Sequence, residues 1–313
     1  MKRLLCVALL LLPCAAAWAG PCVVGAPLLP SAPKIDGDLS DAAWQQAAVV
    51  RGFVVAGKPN PEVASPLTTM RVGYTKEALY VAFECDEPRL DRLVAAKPER
   101  DYAMGKADSM SLYFVFGSQW RDEHYIEIAC DCTGVQHDSY ERDHSWNGAW
   151  KCATGRTQSA WTVEFEIPFA DVRYTLKGGD AWCLVVERNR LAGGRDDEGQ
   201  SWCPAPNKIR SAEAAGRLVF GALAENTVVD AAALAADTDR TLPLLRGEAA
   251  RTDEGRAALT RIEAVRAQAQ AWSSPAGALT PEQWQARRAE IEQARARFES
   301  LYWTVRFAAL LDG

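Results

Sequence analysis

Hydrophobic and polar positions change their rhythm partway along the chain. From about residue 22 to residue 221 the apolar positions come in short runs, several alternating with period two and each bounded by Gly, Pro, Asp or Asn. Leu79-Tyr80-Val81-Ala82-Phe83 sets Leu79, Val81, Phe83 and Cys85 on one side, and Met110 to Phe116 does the same with Met110, Leu112, Phe114 and Phe116. Tyr125 to Cys130, Trp161 to Ile167, Trp182 to Glu187 and Leu218 to Phe220 give four further strands. In the Trp161 run, Trp161, Val163, Phe165 and Ile167 are expected to point inward, with Thr162, Glu164 and Glu166 facing water. Short strands with frequent turn signals and no helical pattern between them predict a mainly β fold, an antiparallel β-sandwich of two stacked sheets.

Past Glu225 the rhythm becomes helical. Ile262, Val265, Ala269 and Trp272 keep a 3-4-3 spacing. After Ser273-Ser274-Pro275-Ala276-Gly277, Trp284, Ile291, Phe298 and Val305 recur every seven residues, with Ala294, Leu301 and Ala308 three places after the last three. Arg287 interrupts this stripe. A second helix is expected to start at Thr280 as N-cap, with Pro281 in the first turn, Gln283 closing a capping box and Leu279 stapled onto Trp284. The pattern predicts a C-terminal α-helical hairpin from about residue 248 to residue 311. Its large aromatics (Trp272, Trp284, Phe298, Tyr302, Trp303 and Phe307) need cover from the sandwich, from a second copy or from another protein.

Composition sharpens the boundary and bears on compartment. All cysteines and lysines precede Glu225, and beyond it Ala dominates and Arg is the only base. Lys2 and Arg3, the apolar run Leu4 to Leu12 and Ala17-Trp18-Ala19 read as an export signal cut after Ala19. Residues 1–19 are therefore a signal peptide, 20–224 the sandwich and 225–313 the helical part, in a secreted protein, extracellular or periplasmic. The leader's apolar run is shorter than a membrane span and no later segment reaches that length, so no membrane span is expected. Pro13 and Pro21 stand where a lipidation signal needs small residues. In an oxidising compartment the seven remaining cysteines should mostly form disulfides, with Cys152 paired to Cys130 or Cys132 and one cysteine left over.

Charge and motifs narrow the chemistry. With 35 Lys+Arg against 41 Asp+Glu and no basic run, nucleic acid is not an expected partner. His124, His137 and His144 lack the spacing of helical metal ligands. Glu164 and Glu166 share one strand face, as alternating solvated residues commonly do, and no nucleophile elbow, P-loop or dinucleotide motif appears. Binding without catalysis is the expected activity.

Several motifs then fall in a familiar order. Lys34-Ile35-Asp36-Gly37-Asp38-Leu39-Ser40-Asp41-Ala42-Ala43-Trp44 resembles the entry pattern of family 9 carbohydrate-binding modules. Val72 to Phe83, Arg100-Asp101, Asp108, Gly134, Trp161 to Phe169, Gly179 to Trp182 and Ser201-Trp202 follow in family order. The match spans about Ala32 to Gly221. Asp36-Gly37 is a turn, Asp41 is placed to cap a short helix from Ala42 to Ala48, and Trp44, Trp161 and Trp182 are expected in the core.

The resemblance implies an antiparallel sandwich and a carbohydrate partner, with a sugar ring clamped between two aromatic faces and held by polar side chains. It also implies the clamp positions. The first falls at Gly105, just before Asp108-Ser109-Met110-Ser111, where Ser111 replaces an acidic residue, and the second falls near Ile209. With both aromatics gone, two readings stay open. Either the site is rebuilt from Tyr102, Trp146, Trp150 and Trp202 with Arg100, Asn207 and Arg210, or the fold persists without sugar binding as a structural or interaction domain. Some relatives hold structural calcium, for which Asp36, Asp38 and Asp41 are the candidate ligands; no cofactor is otherwise required. A further alternative from similar sandwiches is a haem b electron carrier with Met104, Lys106, Met110 and His124 as candidate axial ligands. The helical tail, which the resemblance does not cover, is expected to serve self-association or protein contact.

Overall fold

A computed structural model describes residues 22–58, 62–97, 99–102, 104–116, 125–176, 180–194, 198–204, 210, 215–221, 223–274 and 281–311. The proposed leader, Leu279, Thr280, His124, Asn207 and Ile209 lie outside these.

Among the described residues, thirteen strands form two sheets. One sheet contains β1 (Val23–Pro27), β13 (Gly216–Gly221), β11 (Ala181–Arg190), β6 (Ser109–Phe116), β7 (Ile126–Asp131) and β8 (Gln136–Tyr140) in that spatial order, with β12 (Glu198–Ser201) beside β11 and β3 (Val54–Val55) beside β12. The other runs β2 (Ala48–Val50), β4 (Thr68–Tyr74), β5 (Ala78–Asp86), β10 (Ala160–Pro168) and β9 (Lys151–Arg156). All pairings are antiparallel except β1 with β13. The six runs read from periodicity are β5, β6, β7, β10, β11 and β13. Their inward residues, Leu79, Val81, Phe83, Met110, Leu112, Phe114, Val163, Phe165 and Ile167 among them, join Trp161 and Trp182 in one buried core between the sheets. Burying so much apolar surface is the main stabilising term of such a sandwich.

The outward side of β10 departs from the expected alternation. Glu164 is fully buried and Thr162 nearly so, because residues 36–47 lie over that face. Glu164 accepts hydrogen bonds from Asp36 N at 2.9 Å, Gly37 N at 2.5 Å and Trp44 Nε1 at 2.6 Å, while the Thr162 hydroxyl donates to Gly37 O at 2.6 Å. Gly37 sits at φ +89°, and a Cβ there would come within 2.5 Å of the Thr154 backbone. The entry motif is thus a latch: its turn and its Trp44 close on one buried carboxylate. Trp44 is buried with Leu29, Ala47, Tyr80 and Ala82 on the outside of this sheet, not between the sheets. Residues 42–47 form turns and no helix, and the Asp41 carboxylate accepts Lys34 N at 2.6 Å instead of capping one.

Three helices follow among the described residues: α1 (Leu223–Ala249), α2 (Asp253–Trp272) and α3 (Pro281–Leu311). The expected hairpin is α2 with α3, and α1 is an additional helix joining it to the sandwich. Ile262, Val265, Ala269, Ile291, Ala294, Phe298 and Val305 are buried with Leu234, Leu242 and Leu245 of α1 in a separate core. Arg287, the break in the stripe, lies over the Trp272 ring at 5.7 Å. No described helix is long and apolar enough to cross a membrane.

The bundle docks on its own sandwich. Val63 N donates to Tyr302 Oη at 3.4 Å, Gly25 N donates to Asp230 at 3.3 Å, and Arg288 donates to the carbonyls of Gln46 and Ala47. A void of about 20 Å³, room for one water, lies between β1 and the helices beside Arg51, Asp230, Asp237 and Arg295. Burial raises Asp230 to about 6 against Arg288 and Arg295, with Glu292 also near, and raises Glu299 to about 7 against Arg51 and Arg295, with Asp237 also near. Acids raised on folding stabilise fully below the ordinary carboxylate pKa and lose that contribution as pH rises through 6 and 7. Glu299→Gln keeps the shape and removes the titration. In thermal melts from pH 4 to pH 8, its melting temperature is expected to fall less steeply with rising pH than that of the unaltered chain.

Candidate functional site

Alternation along a strand gives the first sheet a second face, turned away from the core. Pairing aligns Ser201 of β12, Glu187 of β11, Ser111 of β6, Ala129 of β7 and His137 of β8 in one row across it. The adjoining row carries Val185, Tyr113, Glu127 and Ser139. This face is polar because β6, β7 and β11 place Ser, Tyr and Glu at the positions opposite their core residues.

The groups on it are linked. Tyr113 Oη donates to Glu187 Oε2 at 3.2 Å, the Tyr125 ring meets Tyr113 edge-on at 5.5 Å, and the Arg210 guanidinium lies over the Tyr113 ring at 5.3 Å. Burial raises the Glu187 pKa, and Arg210 and the Tyr113 hydroxyl hold it back. His137 Nε2 is 3.6 Å from Glu127 and Nδ1 is 3.7 Å from Asp101. Burial opposes its charge, but these two carboxylates leave its pKa above the ordinary value. The hydroxyls of Ser111 and Ser201, on either side of Glu187 in the row, are buried without a hydrogen-bond partner among the described residues. A buried hydroxyl without a partner costs free energy that an incoming polar ligand can recover.

The residues expected to rebuild a sugar site are dispersed. Among the described ones, Arg210 alone stands on this face. Arg100 is drawn to the far edge of the sandwich, where it donates to Asp138 at 2.7 Å and to Gln136 and lies 5.7 Å from the Trp150 ring. Trp150 is 3% exposed, donates to Asp138 at 2.7 Å and stacks on Phe165 in the core. Trp146, near the same end, packs edge-on against Tyr140. Trp202 is 5% exposed and packs against Gly216 on the side of the sandwich that bears the helices. Neither Trp150 nor Trp202 offers an open ring to a sugar. Tyr102 is half-buried under Lys97, 5.5 Å from its ring, and Asn207 lies outside the described residues.

Reading the sequence missed Glu127, Tyr113 and Glu187. The signal available was their common parity: each is the polar or amphipathic member of a strand whose other parity is apolar. Asp108, which opens β6, accepts from the backbone amides of Val94, Leu191 and Ala192 and so ties two loops to the strand.

The calcium candidates do not fit an ion. Asp36 pairs with Lys34 at 2.6 Å and accepts Asp38 N, Asp38 accepts Ser40 N, and Asp41 accepts Lys34 N. Their oxygens serve separate turns, and among the described residues no three His, Cys, Asp or Glu converge. The described haem candidates are spread as well: Met110 is fully buried between the sheets, Met104 is buried in a short 3-10 helix before β6, and Lys106 of that helix is exposed.

Comparison with known structures bears on the fold. The chain is similar to a protein from Bacteroides uniformis proposed to bind carbohydrate, at 13% identity and a TM-score of 0.50, over 64% of this chain and 100% of that one. It is also similar to a family 9 carbohydrate-binding module from Caldicellulosiruptor kristjanssonii solved with cellotriose, at 12% identity and a TM-score of 0.48, over 64% of this chain and 94% of that one. The sandwich shares its fold with the Bacteroides uniformis protein. The resemblance carried by the motifs is therefore borne out at the level of fold, and the three helices are not part of it. No protein-family model matches the chain, and no curated protein matches it.

Proposed function

We propose that the chain is an exported, non-catalytic carbohydrate-binding protein whose site is the outward face of the first sheet. The observation that carries this reading is the row Ser201–Glu187–Ser111, a half-buried carboxylate between two buried hydroxyls that lack partners among the described residues. Carboxylates accept from neighbouring sugar hydroxyls, serine hydroxyls donate or accept, and Tyr125 and Arg210 border the row with an aromatic ring and a cation. Of the clamp positions implied by the resemblance, Gly105 precedes β6 in the chain, and Arg210 follows the position near which the second aromatic would fall. A carboxylate-rich face with fewer stacking rings favours ligands recognised by their hydroxyls.

A screen of the full chain against immobilised poly- and oligosaccharides tests this reading. Binding to a saccharide is expected at millimolar affinity or better, and Glu187→Gln should weaken it at least tenfold without moving the melting temperature. Silence across plant, algal and host glycans overturns the reading. The sandwich would then be a structural or interaction domain, a role for which the glycine at the first clamp position already speaks.

A further inference from the structure

We propose that two disulfides form in this chain, Cys130 with Cys152 and Cys22 with Cys203, and that Cys85, Cys132 and Cys183 remain thiols. The expectation from sequence left Cys152 with two possible partners and one cysteine left over. The fold selects among them by parity and position.

Cys130 is an inward residue of β7, and Cys152 stands on β9 directly opposite the inward Phe165 of β10. Their sulfurs are 3.0 Å apart, one in each sheet, so a bond would tie the two sheets together where β8 and β9 form adjacent edges. Cys132 lies two residues on, past the end of β7, and its sulfur is 3.7 Å from the carbonyl of Val94. Cys22 and Cys203 meet beside Trp202 and Gly216, at the opposite side of the sandwich: Cys22 Sγ is 3.9 Å from Trp202 O, Arg217 N donates to Cys22 O at 2.7 Å, a Cβ on Gly216 would come within 2.9 Å of Cys203 Sγ, and the two thiols are close enough to interact. Cys85 is fully buried within the core, and Cys183 lies on the outward face among Tyr113, Val115 and Val185.

Each pair has the same asymmetry. Cys152 and Cys22 are half-buried, while Cys130 and Cys203 are buried. The hydrogen bond from Cys130 lowers the Cys152 pKa, with Gln136 and Arg100 adding to it, and the hydrogen bond from Cys203 lowers that of Cys22, with Arg240 3.7 Å away. In each pair the thiol of the less buried residue is therefore the one that ionises first, as thiol–disulfide exchange needs. The thiolate of Cys152 attacks a small disulfide such as oxidised glutathione, forming a mixed disulfide and releasing one glutathione thiolate. Cys130 then attacks the Cys152 sulfur, its proton passes to solvent or to the departing glutathione thiolate, and the second glutathione leaves. Two protein thiols are oxidised and one disulfide is reduced to two thiols. Cys22 and Cys203 follow the same sequence.

The export reading supplies an oxidising setting, but the placement of the sulfurs does not depend on it or on sugar binding. The full chain, purified without reductant and incubated with oxidised glutathione, is denatured, alkylated and mapped by non-reducing peptide mass spectrometry. Cross-linked peptides Cys130–Cys152 and Cys22–Cys203 are expected, with Cys85, Cys132 and Cys183 alkylated. Cys152→Ser should raise the number of alkylated residues by one, at Cys130, and Cys22→Ser by one, at Cys203. Other pairings, one pair only, or seven alkylated cysteines among residues 22–203 would overturn the proposal, whatever the glycan screen returns.

Discussion

Replacing Glu164 with alanine is expected to unfold the sandwich about 10 °C earlier than the unaltered chain. The carboxylate is fully buried and accepts from two backbone amides and one indole, on a segment 120 to 128 residues away in sequence. Removing it leaves all three donors without a partner, each at a cost of about 1–3 kcal/mol; with water entering the space the side chain leaves, the total falls in the lower part of the resulting range, about 3–5 kcal/mol. At roughly 2–4 °C per kcal/mol for a unit of this size, that gives the stated shift. Glu166→Ala, two residues along and paired among the described residues with the exposed Lys151, is expected to leave the midpoint unchanged. Equal shifts for the two variants in differential scanning calorimetry would remove the latch from the account.

Arg188→Ala should cost a similar amount for a different reason. Arg188 is a fully buried cation at an inward position of β11. Its guanidinium spans the sheets, donating to Leu67 O at 3.2 Å, the Thr68 hydroxyl at 3.0 Å and Asp86 O at 2.8 Å. Glu87, buried beside it at 3.7 Å, also pairs with Arg190 at 2.7 Å. Loss of one cation strands the acceptors and leaves Glu87 with half its compensation, at about 3–5 kcal/mol. In a double-mutant cycle, Glu87→Gln should recover part of that loss, since it removes the charge Arg188 was balancing. Additive effects from the two changes would mean that Glu87 and Arg188 are not coupled.

These two residues mark where sequence reading succeeds and where it stops. Strand parity placed Met110, Leu112, Phe114, Val163 and Phe165 in the core because apolar burial follows period two. The same rule sent Glu164 to solvent, since nothing local reveals that residues 36–47 fold over the outside of β10. Arg188 breaks the rule from the other side: an inward position holds a charge because the carbonyls of Leu67 and Asp86 and the hydroxyl of Thr68 meet it there. Ala-rich α1 escaped notice since its apolar stripe is weak and Pro243 sits inside it. The candidate site was legible only in part, through Arg210. Trp150 and Trp202 attracted attention as aromatics, but large rings are more valuable to a core than to a surface. The row Ser201–Glu187–Ser111 depends on pairing β11 and β12 with β6, a strand far away in sequence, which no local pattern encodes.

The central claim is that sugar is held on the outward face of the first sheet. Titration calorimetry of the full chain, Glu187→Gln and Trp146→Ala against the saccharide that the screen identifies tests this most directly. The account predicts at least a tenfold loss of affinity for Glu187→Gln and an unchanged affinity for Trp146→Ala, at the other end of the sandwich. A loss confined to Trp146→Ala, or no saccharide bound by the unaltered chain, would contradict it.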